Sequence, residues 1–187
     1  MIINGKKADL SINGKTSVGV FPKPVFMNPI MSFAEAEQAM RCVFEQVLGN
    51  SYHWLPEYDA VCRWFLQPEG KGLMFMGNCG TGKTILLRYV IPTIIEAVCN
   101  RIINYFRADE INVQNYEDLR RMCLFAIDDL GTEGRIAING YRNDFYAVER
   151  IVEKAADNRR CMFLSTNLTA NQLLDRYGER TFDRICG

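Results

Sequence analysis

From Ser32 onwards the apolar positions fall at helical spacing, with Ala36, Met40, Val43, Phe44 and Val47 on one face. Ser32 followed three residues later by Glu35 forms a capping-box pattern, so the helix is predicted to start there. A second helical stretch covers residues 57–66, where Tyr58, Val61, Cys62, Phe65 and Leu66 make the buried stripe. Beyond Pro68-Glu69-Gly70 the pattern changes to a short apolar run at 72–76, a glycine-rich turn and a long helical stretch from near Lys83. Further apolar runs at 102–106, 123–127 and 161–164 alternate with helical segments near 110–121 and 142–158. Buried strands alternating with helices predict a parallel sheet covered on both faces, a three-layer α/β domain.

Residues 1–31 follow a different pattern. They hold two Asn-Gly dipeptides, Asn4-Gly5 and Asn13-Gly14, then Phe21-Pro22-Lys23-Pro24 and Asn28-Pro29. Asn-Gly favours tight hairpin turns and proline blocks a helix. This N-terminal arm reads either as a small hairpin with a proline-bearing linker or as a loosely held tail.

The 187 residues suit one domain with a sizeable core, and 48% apolar with 24% charged residues exclude a disordered or fibrous chain. With 22 Lys+Arg against 22 Asp+Glu, no sequence-wide field draws the chain to a polyanion, so any such partner must be held by a local motif. Seven scattered cysteines without a CxxC pair predict reduced, mostly buried thiols and a cytoplasmic setting. The most apolar stretch, 85–98, is interrupted by Arg88, Pro92 and Glu96 and is too short to span a membrane.

The glycine-rich turn reads Gly77-Asn78-Cys79-Gly80-Thr81-Gly82-Lys83-Thr84, a complete G-x-x-x-x-G-K-[ST] phosphate-binding loop between a strand and a helix. Glycines let consecutive N–H groups point inward at phosphates, and the following helix aims its positive end at the same place. Lys83, taken as exposed, reaches the outer phosphates of ATP, and the Thr84 hydroxyl ligates magnesium. The run Leu124-Phe125-Ala126-Ile127 ends in Asp128-Asp129, at the edge of the sheet where the loop lies. Asp128 is placed to hold Mg2+ through water, and Asp129 to orient or deprotonate an attacking water. A third strand ends in Ser165-Thr166-Asn167, and Asn167 either holds that water or starts the next helix. Arg176, Arg180 and Arg184 recur at i, i+4 and i+8, with Gly178 as a break among them.

The loop GNCGTGKT, the strand end FAIDDLGTE, the run FLSTNLT and the closing YGERTFDRI occur in one order. In that order and rough spacing the chain resembles the AAA+ ATPases of the DnaC/IstB type, bacterial replicative helicase loaders and transposition helper ATPases. The resemblance covers about residues 72–185. It implies a three-layer P-loop AAA+ domain over 32–187, with leading helices at 32–70, a nucleotide-binding core at 71–187 and no C-terminal lid domain. It implies that Asn167 contacts the terminal phosphate, and that Arg184, or failing that Arg180, reaches the nucleotide of a neighbouring subunit in a nucleotide-dependent homo-oligomer. It also implies ATP hydrolysis in an assembly factor whose partner is a replicative helicase or a transposase.

The chain departs from the family in two places. Asp129 stands where most AAA+ proteins have glutamate, and the shorter side chain favours slow turnover. The stretch between Arg107 and Met122 is short where DnaC-like loaders carry an insert with DNA contacts, which weakens the inference of single-stranded DNA binding. Two rivals share the loop: a small-molecule phosphotransferase, which needs an acceptor pocket and an arginine-bearing lid, and a nucleotide-binding module without turnover.

Overall fold

The computed structural model describes residues 26–136 and 145–186, together with the backbone of short strands between Ile2 and Ser17. In the arm, Ile2–Ile3 pairs antiparallel with Lys6–Lys7, and Leu10–Ile12 with Lys15–Ser17. The Asn-Gly dipeptides and the run 21–24 lie outside the described residues.

Helix α1 (Phe33–Leu48) starts where Ser32 predicts. The Glu35 N–H donates to Ser32 Oγ at 3.3 Å, and the Ser32 N–H donates to the Glu35 carboxylate at 2.8 Å. Such a cap contributes about 1 kcal/mol. Ala36, Met40, Val43 and Phe44 are buried, but the stripe runs on to Leu48 and leaves Val47 exposed at its margin. In α2 (Tyr58–Leu66) the buried stripe takes Trp64 instead of Leu66, which is exposed. Burying an indole requires a partner for its N–H, and Trp64 Nε1 donates to the Lys71 carbonyl at 2.9 Å.

Strand β1 (Leu73–Met76) leads through the glycine-rich turn into α3, which opens at Lys83–Ile85, widens to a π turn at Leu86–Val90 and continues as Ile91–Cys99. The widening comes just before Pro92, which has no N–H for the Arg88 carbonyl. Then follow β2 (Asn104–Arg107), α4 (Val113–Leu119), β3 (Leu124–Leu130), α5 (Ala147–Asp157), β4 (Cys161–Thr166) and α6 (Ala170–Cys186). The predicted strand at 102–106 starts later, since Ile102 is exposed, and β3 runs further than predicted, taking both Asp128 and Asp129 into the strand. Residues 142–144, the start of the predicted helix 142–158, lie outside the described residues.

The strands β1 to β4 form one parallel sheet in the order β1-β4-β3-β2, and among the described residues Arg135–Ile136 pairs antiparallel with Phe145–Tyr146 apart from it. Side chains alternate between the two faces, as they must on a pleated strand. Leu124, Ala126, Cys161 and Phe163 pack with α1, α2 and α3, whereas Phe125, Ile127 and Leu164 pack with α4, α5 and α6. Helices therefore cover both faces of the sheet, as the sequence predicts. Although β4 is the last strand in the chain, it lies between β1 and β3. Its end therefore arrives between the glycine-rich loop and the two aspartates.

The strands approach closely at Gly72, where an ideal Cβ would fall 1.6 Å from the Met162 carbonyl oxygen of β4. Backbone cannot swing aside as a side chain can. Gly72→Ala is expected to cost more than about 3 kcal/mol or to prevent folding. Urea denaturation checks this, and a variant within about 1 kcal/mol of the parent would contradict the packing described.

All seven cysteines are free thiols, but only Cys62 and Cys161 are buried, where burial pushes their pKa up to about 11 and about 12. Cys42, Cys79, Cys123 and Cys186 are exposed, contrary to the expectation of mostly buried thiols. Among the described residues no helix is long and apolar enough to cross a membrane.

Candidate functional site

The turn 77–84 joins β1 to α3. Gly77 (φ 144), Gly80 (φ 89) and Gly82 (φ 78) all lie at positive φ, which residues with a Cβ rarely adopt, so the curl of the loop depends on them. At Gly82 space matters as well, because an ideal Cβ would come 2.6 Å from the Tyr58 hydroxyl. That hydroxyl donates to the Thr81 carbonyl at 3.4 Å, so α2 props the loop from behind. A cavity of about 370 Å3 adjoins the loop there, lined by Leu55, Tyr58, Val61, Phe75, Thr81 and Lys83 among others.

Lys83 is only 8% exposed, contrary to the exposed position read from the sequence. Its ammonium donates to the Gly77 carbonyl at 2.8 Å, the Asn78 carbonyl at 2.8 Å and Asn167 Oδ1 at 2.9 Å. An ammonium has three donors, and oxygens take all three. Thr84 is exposed in the first turn of α3.

The two aspartates have different surroundings. Asp128 is buried, and its carboxylate accepts from the Ser165 hydroxyl and, at 2.8 Å, from the Tyr105 hydroxyl. Burial and the charge of Asp128 push the pKa of Tyr105 up, which keeps that hydroxyl a donor. Asp129 has φ 59, a left-handed conformation. Its N–H donates to Ser165 Oγ at 2.9 Å, and its carbonyl accepts from the Thr132 N–H at 3.2 Å and hydroxyl at 2.8 Å. This backbone leaves the Asp129 carboxylate beside Asn167, whose Nδ2 donates to Oδ1 at 3.1 Å.

Asn167 thus bridges Lys83 and Asp129 with the two ends of one amide. The alternative, that it starts the next helix, does not hold. Thr169 caps α6 instead, its N–H donating to Gln172 Oε1 at 2.8 Å and its hydroxyl oxygen accepting from the Gln172 N–H at 3.3 Å.

The closing arginines do not share one face. Gly178 (φ 76, ψ 164) breaks α6, as the sequence suggests, so Arg176 before the break turns to Glu133 while Arg180 and Arg184 after it turn to α5. Arg176 pairs with the buried Glu133. Arg184 donates to the Glu153 carbonyl at 3.0 Å and pairs with Asp157 at 2.9 Å. Arg180 pairs with Glu153 at 3.3 Å, with its side chain 69% exposed.

Sequence reasoning missed Tyr58, Tyr105, Ser165 and Thr132 as parts of this site. Ser165 carried a readable signal, since a hydroxyl at the end of a buried strand must find a partner inside. The tyrosines carried none, because each sits in an apolar stripe or run where a core role accounts for it.

A parallel α/β sheet, a glycine loop between β1 and α3, and an acid-bearing strand beyond β4 together define a P-loop domain. The residues present fit a bound nucleotide triphosphate: the loop is curled by glycines, and the Lys83 ammonium already gathers oxygen acceptors. No family model matches the sequence, and neither does any curated protein. Among solved structures the chain is similar to the DnaC helicase loader, at 19% identity over 73% of this chain and 90% of that one, with a TM-score of 0.52. Fainter likenesses are to DnaI (19% identity, 62% and 69% covered, TM-score 0.45) and to AMPPCP-bound DnaA from Aquifex aeolicus (16% identity, 87% and 50% covered, TM-score 0.45). The chain therefore has the fold of the DnaC helicase loader structure, an α/β domain with a parallel sheet flanked by helices.

Proposed function

We propose that the protein is a Mg2+-dependent ATPase acting as a nucleotide-switched assembly factor. Its role on this reading is loading a replicative DNA helicase; the similar DnaC structure is named a helicase loader. The observation that carries the ATPase reading is the chain Lys83–Asn167–Asp129, in which one amide accepts from the cation of the glycine loop and donates to a carboxylate. When ATP enters, its terminal phosphate oxygens replace the loop carbonyls and Asn167 as acceptors for Lys83. Asn167 is then free to hold a water against that phosphate, with Asp129 oriented to take the proton.

Bound magnesium would supply charge neutralisation at the phosphates. Thr84 and Asp128 are the residues to hold it, Asp128 through water because Ser165 and Tyr105 already engage its carboxylate. Release of labelled phosphate from ATP, with and without Mg2+, single-stranded DNA and candidate acceptors, tests this reading. Phosphate release supports it, label transfer to an acceptor means a phosphotransferase, and binding without turnover means a nucleotide-binding module.

The resemblance to AAA+ assemblies directs attention to Arg184 and Arg180 as groups acting on a neighbour's nucleotide. Both pair with carboxylates of their own chain, but the Arg180 side chain is 69% exposed against 25% for Arg184, so Arg180 is the better placed of the two. Such an arginine is worth roughly a thousandfold in rate or more. A Lys83→Ala subunit, silent itself, is expected to restore part of the activity of Arg180→Ala when the two are mixed, and less for Arg184→Ala. Mixed-subunit ATPase assays check this, and no recovery in either mixture would mean that both arginines serve their own subunit.

A further inference from the structure

The turn after Asp129 is gripped by Glu133, whose side chain is fully shielded from solvent. Glu133 Oε2 accepts the Gly131 N–H at 2.8 Å. Its Oε1 accepts the Tyr177 hydroxyl and, at 3.3 Å, Arg176 Nε, while Arg176 Nη2 donates to the Glu133 carbonyl at 2.6 Å. The Arg176 guanidinium also lies 4.2 Å over the Tyr146 ring, and Tyr146 meets Tyr177 edge-on at 5.9 Å. A buried carboxylate is tolerated only when paired and hydrogen-bonded, and this one is both. Burial and the charge of Glu133 push the pKa of Tyr177 up, so its hydroxyl remains a donor.

The segment so gripped holds one non-glycine residue in a left-handed conformation and one position that only glycine fills. Asp129 is a non-glycine residue at φ 59, and Gly131 has φ 103 with an ideal Cβ only 2.5 Å from Leu168 Cδ1. The Asp129 carboxylate meets Asn167 in that backbone conformation. Ser165 and Thr132 hold the Asp129 peptide groups themselves, and Glu133 holds the next peptide group along the turn. Its other partners, Arg176 and Tyr177, stand on α6 directly before the break at Gly178.

We infer that Glu133 is a positioning residue: through the Gly131 N–H it keeps the turn that aims Asp129 at Asn167, and through Arg176 and Tyr177 it anchors that turn on α6. This rests on the ATPase reading for its consequence in turnover, but the positioning itself is separately observable.

The test compares wild type with Glu133→Gln, which removes the charge, and Tyr177→Phe, which removes one donor and keeps the ring. Expected are a fall in kcat of about tenfold for Glu133→Gln and about threefold for Tyr177→Phe, with affinity for fluorescent ATP within about twofold of wild type. Glu133→Asp, one methylene shorter, is expected not to rescue, because it cannot span Gly131 and Tyr177 together. A purely structural role lowers the melting temperature and leaves kcat per nucleotide-binding site unchanged, and that result overturns the inference. The nitrogen-15 resonance of the Asn167 side-chain amide gives a readout independent of hydrolysis. It is expected to shift in both variants, and an unchanged resonance overturns the inference even if wild type hydrolyses no ATP, an outcome that would count against the ATPase reading alone. Tyr177→Phe, which preserves the packing, decides the matter where Glu133→Gln fails to fold.

Discussion

Lys83→Ala is expected to weaken ATP binding by at least about a hundredfold, or about 2.7 kcal/mol. The ammonium is the charge of the glycine loop, and it already lies among the oxygens of Gly77, Asn78 and Asn167. A phosphate has only to replace those acceptors. Because Lys83 is buried, its loss leaves two loop carbonyls and the Asn167 amide oxygen without this donor, a stability cost of about 1–2 kcal/mol. That cost is too small to unfold an ordinary domain. Titration with fluorescent ATP, with circular dichroism as a check on folding, decides the matter. Wild-type affinity in the folded variant would refute the assignment of the loop.

Asp129→Asn is expected to leave ATP binding intact and to reduce turnover by about 10²- to 10⁴-fold, the usual contribution of a positioned general base. Asparagine keeps the size of the side chain, and its amide oxygen still accepts from Asn167. What it lacks is the negative charge, which on the proposed ATPase reading takes a proton from water. Asp128→Asn should behave differently. The hydroxyls of Ser165 and Tyr105 meet a carboxylate there, so an amide disturbs the hydrogen-bonded wall behind the site and weakens Mg2+-dependent binding. Single-turnover hydrolysis and Mg2+-dependent binding separate the two variants, and an exchange of their behaviour would reverse the roles given to the pair.

The layers, the parallel sheet and the position of the glycine loop were legible because each depends on local pattern: hydrophobic period, capping at Ser32 and glycine spacing. Val47, Leu66 and Ile102 were misplaced because one-dimensional periodicity does not locate the margin of a helix stripe or the start of a strand. The insertion of β4 between β1 and β3 is a matter of long-range topology, yet it is what brings Asn167 to Lys83 and Asp129. The closing arginines show the opposite limit. Their spacing suggested one basic face, but the break at Gly178 sends Arg176 to Glu133 and the other two to α5. Lys83 looked like an exposed cation for the same reason, because the oxygens that bury it come from the turn before it and from a residue 84 positions away.

Amide resonances recorded while Mg2+-ATP is added to nitrogen-15-labelled protein test the central claim most directly. The account predicts shifts concentrated at residues 77–84 and at Asp129 and Asn167, with the Asn167 side-chain amide among the largest as Lys83 transfers from it to phosphate. Millimolar Mg2+-ATP that leaves the resonances of Gly80, Gly82 and Lys83 unmoved, or that shifts only residues remote from the loop, would contradict it.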